Sequence, residues 1–137
     1  QQEAQEKNKD FSQMVIMASL IEKEGADPED RRMISGVLWK RFDEGIALRV
    51  DATLAYLVGK KSSELTEDDL SLDSPYNTYK YRGLPVGPIG NPGLDALDAA
   101  LHPINNPYWY YLHDKEGGAH YAKTFEEHIE NKRKYLR

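Results

Sequence analysis

Glu24 occupies the position in this sequence that most invites chemistry. The apolar residues Met14, Met17, Ala18 and Ile21 recur at helical spacing, and the next step of three lands on Glu24. A carboxylate thus stands where the pattern asks for an apolar side chain, while Glu22 and Lys23 fall on other faces of the helix. Partial burial disfavours the charged form and raises the pKa, the condition in which a carboxyl group serves as a general acid. A helix end fraying into solvent fits the same spacing, so periodicity alone leaves the two readings even.

Enzymes that cleave a bond between two carboxyl groups need a second acid across from the first. Asp51, which follows the apolar Val50, is the candidate, in competition with a role as N-cap of a helix over Ala52 to Val58. Asp73 and Asp95 stand where turn and cap residues stand. The four histidines, His102, His113, His120 and His128, include no His-x-x-x-His pair, so no metal site is expected. There is no cysteine, which removes disulfide and thiolate chemistry, and no Gly-x-Ser-x-Gly elbow, phosphate loop or dinucleotide fingerprint, so no cofactor is expected. Tyr76-Asn77-Thr78-Tyr79 and Tyr108-Trp109-Tyr110-Tyr111 supply flat apolar faces with polar tips, suited to stacking on sugar rings and bonding hydroxyls; tyrosine packing in a small hairpin is the plainer use. Strand alternation would send Tyr108 and Tyr110 to one face and Trp109 and Tyr111 to the other.

These residues need elements to hold them. The polar stretch Gln1 to Asp10 opens a first helix that Gly25 stops. Asp27-Pro28 caps and starts a second, with Met33, Ile34, Val37, Leu38 and Phe42 inward and Gly45 at its end. An extended piece over residues 46–51, a brief helix through Leu54 to Val58 and a capped turn at Thr66 follow. From Ser74 to Gly93 prolines and glycines are too dense for a regular element, which predicts a long ordered loop. Leu94 to Leu101 reads as a helix stopped ahead of His102-Pro103. Tyr108 to Leu112 and Ala119 to Ala122 read as a hairpin, and Thr124 with Glu127 caps a last helix running to Leu136.

The 137 residues are one domain's worth, and 39% hydrophobic with 30% charged residues describes a globular chain with a well-charged surface. A net charge of -5 with scattered basic residues argues against nucleic acid as a partner. No run approaches the roughly 20 apolar residues of a spanning helix, and Gln1-Gln2-Glu3 does not begin a signal peptide.

Taken in order, several segments resemble one family, the MltG-type or YceG-like endolytic murein transglycosylases. Ala18-Ser19-Leu20-Ile21-Glu22-Lys23-Glu24 is similar to its catalytic helix motif, and Leu48-Arg49-Val50-Asp51-Ala52-Thr53 to the motif after it, with Arg49, Val50 and Ala52 where many relatives carry Gln, Thr and Pro. Tyr76-Asn77-Thr78-Tyr79, Gly83-Leu84-Pro85-Val86-Gly87-Pro88-Ile89, Asn91-Pro92-Gly93, Ala99-Ala100-Leu101-His102-Pro103, Pro107 to Tyr111 and Phe125-Glu126-Glu127-His128 continue the likeness.

The resemblance implies a lysozyme-like catalytic domain of class α+β, mostly helical with a small antiparallel sheet. It implies Glu24 as the catalytic acid and base, and Asp51, Tyr76, Asn77, Thr78, Tyr79, Gly87, Pro88, Ile89, Tyr108 and Tyr110 as substrate-binding residues. The implied reaction breaks the bond between N-acetylmuramic acid and N-acetylglucosamine to leave a 1,6-anhydro end. A lysozyme-like hydrolase and an inactive glycan-binding or synthase-interacting module are the alternatives. The implied partners are peptidoglycan glycan strands and peptidoglycan synthases (penicillin-binding proteins). The family's usual membrane anchor and LysM-like domain have no counterpart here, so the chain is expected to be the catalytic portion of a parent at the extracytoplasmic face of the bacterial membrane.

Overall fold

The computed structural model describes residues 10–136, so the expected helical start over residues 1–9 lies outside the described part. Helix α1 runs Phe11–Glu24 from a capping box in which Asp10 accepts from the Gln13 amide and Gln13 from that of Asp10. Gly25 closes it, its N–H donating to the Ile21 carbonyl at 2.9 Å. Backbone freedom is not the reason for glycine, since φ is an ordinary -90°. A Cβ there would stand 2.3 Å from Arg31 Cγ, so the missing side chain lets α1 and α2 meet closely. Helix α2, Pro28–Asp43, starts with proline in its first turn and with Asp27 accepting from the Asp30 amide.

Helix α3 covers Asp51–Val58, followed by a 3-10 turn at Ser62–Glu64 and the four-residue α4, Glu67–Leu70, capped by Thr66. The expected loop then runs to α5, Leu94–Leu101, whose buried Ala96, Ala99 and Ala100 are small enough for it to lie against α1 and α2. Met17, Leu20, Ile21, Ile34 and Leu38 form the centre of one core with them. Strands β1, Tyr110–His113, and β2, Ala119–Ala122, pair antiparallel with Tyr111 opposite Tyr121, and α6, Phe125–Tyr135, packs on both. The class is α+β, mostly helical with a two-stranded sheet.

The first strand begins two residues later than expected. Asn106 Oδ1 accepts from the Tyr108 amide at 3.0 Å, which holds the stretch after Pro107 in a turn. Alternation therefore does not reach Tyr108: its ring stacks on Tyr121, the residue opposite Tyr111, instead of sharing a side with Tyr110.

Candidate active site

A cavity of about 470 Å³ opens where α1 ends, walled by β1, the start of α3 and one side of α6. That is within the range usual for small-ligand sites. Glu24 is the last residue of α1, and its carboxyl group faces this space. The Tyr111 hydroxyl donates to Glu24 Oε1 at 2.7 Å. Burial raises the Glu24 pKa, opposed by the Tyr111 bond, raised again by Asp51 and Asp30 and eased by His113. The helix C-terminus also carries partial negative charge, a further reason for the carboxyl to keep its proton. Burial together with Glu24 pushes Tyr111 well above an ordinary phenol, so it stays a donor.

Asp51 is not the cap that competed for it. The α3 N-cap is Val50, with no side-chain bond, and Asp51 is the first helical residue. Its Oδ1 accepts from the Tyr79 hydroxyl, and both side chains line the cavity. Burial and this bond raise the Tyr79 phenol.

A third carboxyl group, outside the cavity lining, is set differently. Asp30, 5% exposed, meets His113 Nε2 at 2.7 Å and accepts from the Tyr121 hydroxyl and, at 2.8 Å, from the Ala26 amide. Burial would raise it, but these bonds outweigh burial and hold its pKa below the usual carboxylate value. His113 is raised in return, chiefly by its bond to Asp30, and its ring lines the cavity.

Three cations also line the cavity. Arg41, 7% exposed, donates through Nε to the Trp109 carbonyl at 2.9 Å and through Nη1 to that of Leu48 at 3.1 Å. Arg49 holds a left-handed φ of 54°, a conformation that costs a non-glycine residue about 1 kcal/mol. Its guanidinium lies 5.4 Å from the centre of the Tyr79 ring. Lys132 comes from α6, one turn after His128. Burial, with Lys132 and Arg41 nearby, lowers His128 to about 4, so this imidazole is neutral; it stacks on Tyr110 with ring centres 5.1 Å apart.

Of the residues expected from the sequence, Glu24, Asp51, Tyr79 and Tyr110 line this cavity, and the others do not. Asn77 and Thr78 are buried. Asn77 Nδ2 donates to the carbonyls of Leu70 and Leu72 at 2.9 and 2.8 Å, and Thr78 Oγ1 accepts from the Val50 amide at 2.9 Å. Their polar groups fasten the loop to α3 and α4 and leave nothing facing a ligand. Ile89 is a core residue whose amide donates to Ser19 Oγ, Gly87 lies under the Tyr76 hydroxyl, and Pro88 between them is exposed away from the cavity lining. Tyr76 packs its ring on Tyr56, and Tyr108 on Tyr121. Among the described residues no group of three His, Cys, Asp or Glu side chains is arranged to hold a metal ion.

His113, Arg41 and His128 line the cavity, Asp30 pairs with His113, and none of the four was expected there from the sequence; Tyr111 was read as a sugar-stacking or packing ring, not as the partner of Glu24. For two of them a signal existed. Asp30, Ile34, Val37, Leu38 and Arg41 are all buried in α2 at helical spacing, so Asp30 and Arg41 interrupt an apolar stripe just as Glu24 does in α1.

The sequence matches the YceG-like family over residues 1–134. A curated protein of Bacillus subtilis (strain 168) named endolytic murein transglycosylase is 42% identical over 123 residues, covering 90% of this chain and 34% of that protein. One of the same name from Streptococcus pneumoniae serotype 2 (strain D39 / NCTC 7466) is 37% identical over 131 residues, covering 91% of this chain and 24% of the relative. The chain thus spans about a third and a quarter of the length of these two relatives. The 2.6 Å crystal structure of a yceG-like protein from Listeria monocytogenes has a TM-score of 0.87 at 40% identity, covering 94% of this chain and 42% of that one.

Proposed function

The chain belongs to the YceG-like family, and from that premise we propose that it carries the cleavage step of an endolytic murein transglycosylase, with Glu24 as its acid and base. The observation that carries the reading is the enclosed Glu24 carboxyl, its pKa raised by burial, at the edge of a cavity of ligand size. Because Tyr111 donates to Oε1, the acid proton is left to Oε2. It passes from there to the oxygen linking N-acetylmuramic acid to N-acetylglucosamine as the anomeric C–O bond breaks. Glu24, now a carboxylate, takes the proton of the muramyl C6 hydroxyl, and that oxygen closes on the anomeric carbon. The proton count balances, no water is consumed, and the product is a 1,6-anhydro end. Asp51, held by Tyr79, adds a fixed negative charge that supports the proton on Glu24 beforehand and offsets positive charge developing on the sugar afterwards.

A hydrolase is the second reading, favoured by that same Asp51 carboxylate in the cavity, which could act on water or on the anomeric carbon. Digestion of purified glycan strands and weighing of the products separates the two. Anhydro ends, lighter than reducing ends by one water and absent with Glu24→Gln, are the expected result. Reducing ends would transfer the assignment to hydrolysis, and intact strands with the unaltered chain would leave a binding module. The substrate also sets the place of work, since peptidoglycan is built outside the cytoplasmic membrane, with its synthases as the expected neighbours.

A further inference from the structure

The cavity is more positive than the chain that makes it. The whole sequence carries a net charge of -5, yet Arg41, Arg49 and Lys132 all line this cavity. None of them is in an ion pair among the described residues. The Arg41 donors all go to main-chain carbonyls, those of Trp109, Leu48 and Ala47, which fix the guanidinium in place without neutralising it. Among the described residues the Arg49 guanidinium is over the face of Tyr79 and in no ion pair. Among the described residues neither Glu24, which accepts from Tyr111, nor Asp51, which accepts from Tyr79, is in an ion pair with these cations. A buried cation held by neutral acceptors, with two open cations beside it, is an arrangement completed by an anion from outside.

We propose that these cations form a carboxylate-binding subsite, in which Arg49 and Lys132, backed by Arg41, take the carboxylate borne by a muramyl residue of the strand. The inference rests on the glycan reading above and deepens it. A muramyl residue differs from N-acetylglucosamine by a lactyl ether, which ends either in a free carboxylate or in a peptide with carboxylates of its own. Arg49, with its planar fork, suits a carboxylate in two-point contact, and Lys132 adds a mobile point charge. The subsite would therefore set which sugar of the alternating strand lies beside Glu24.

The test uses the chain carrying Glu24→Gln, which binds without cleaving, and three oligosaccharides of equal length. One bears stem peptides, one has had them removed to leave lactyl carboxylates, and one is a chitin oligosaccharide without either. At least one muramyl ligand is expected to bind more tightly than the chitin oligosaccharide, and added salt to erase the advantage. Arg49→Gln and Lys132→Gln should each weaken that ligand by about three- to tenfold and leave chitin binding unchanged. The muramyl ligand that responds identifies the source of the carboxylate. Both substituted side chains are exposed, so folding does not depend on them, and Lys132→Gln leaves the backbone of Arg49 untouched. Equal binding of all three ligands, or equal losses for all three, overturns the subsite while leaving the glycan reading standing. Failure of every ligand to bind removes both together.

Discussion

Two carboxyl groups near the end of α1 receive similar help from tyrosine, yet their pKa values move in opposite directions. Glu24 accepts from Tyr111, and Asp30 accepts from Tyr121. Burial pushes both toward the neutral form. Glu24 has one hydrogen bond, from the phenol, and the more distant charge of His113 against burial and the nearby carboxylates, and its pKa rises. Asp30 adds the His113 imidazole and the Ala26 amide, and its pKa falls. Enclosure does not make an acid catalyst by itself; the number of donors decides whether an enclosed carboxyl stores a proton or a charge. The first state suits proton transfer and the second suits holding the hairpin to α2.

The largest effect expected from breaking this contrast is Glu24→Gln. Loss of the proton should lower the cleavage rate by about a thousandfold or more, measured as released anhydro ends. Stability should move the other way. A carboxyl with a raised pKa binds its proton more firmly in the folded state, so its contribution is complete below the ordinary 4.5 and is lost as pH rises toward the folded value. Glutamine has no such loss, and the variant should resist urea at pH 7 at least as well as the unaltered chain. A variant less stable than the parent would mean that the Glu24 carboxyl contributes to the fold in its own right.

Asp30→Asn comes second and acts on stability first. It removes the charge from a nearly buried pair and should cost about 2 kcal/mol, less than for a fully enclosed pair because His113 is 25% exposed. The pH dependence has the opposite sign to that of Glu24. A depressed carboxylate stabilises above its ordinary 3.8, and that stability is lost as pH falls through the folded value; the asparagine variant should lack this acid-side loss. His113, raised by the same pair, gives stability that is complete below 6.5 and lost as pH rises through its folded value. The variant should lose that dependence as well, read from urea midpoints between pH 5 and 9.

How much of the contrast was legible beforehand follows from what each residue needs. Glu24 could be found because its neighbours in the chain define the stripe it interrupts. Asp30 and Arg41 interrupt the stripe of α2 in the same way, and the rule that found one finds all three. What it cannot give is the state of each, because the donors to Asp30 come from residues far along the chain, His113 and Tyr121, brought together by hairpin register. Helix bounds such as those of α5 were readable from local chemistry, a glycine before and a proline after. The loop expected from Ser74 to Gly93 was readable as ordered but not as oriented. Its Asn77 and Thr78 read in sequence as substrate-binding residues and are internal fasteners because α3 and α4 pass beside them.

The smallest and most discriminating change is to remove each phenol in turn. Tyr111→Phe and Tyr121→Phe delete the same chemical group from the two sites, each for a net cost of about 1 kcal/mol. Both deletions raise the pKa of the carboxyl left behind, because both bonds lower it. For Asp30 this moves the folded pKa back toward its ordinary value and narrows the acid range over which stability is lost. For Glu24 it moves the folded pKa further from its ordinary value and widens the range on the alkaline side. A general acid works while it is protonated, so in Tyr111→Phe the alkaline limb of the rate profile should shift to higher pH even as the rate falls with the freed proton position. Tyr121→Phe should leave that limb where it is. If Tyr121→Phe moved it as far as Tyr111→Phe does, the two carboxyls would be titrating as one coupled group, and their division into a proton store and a structural charge would have to be given up.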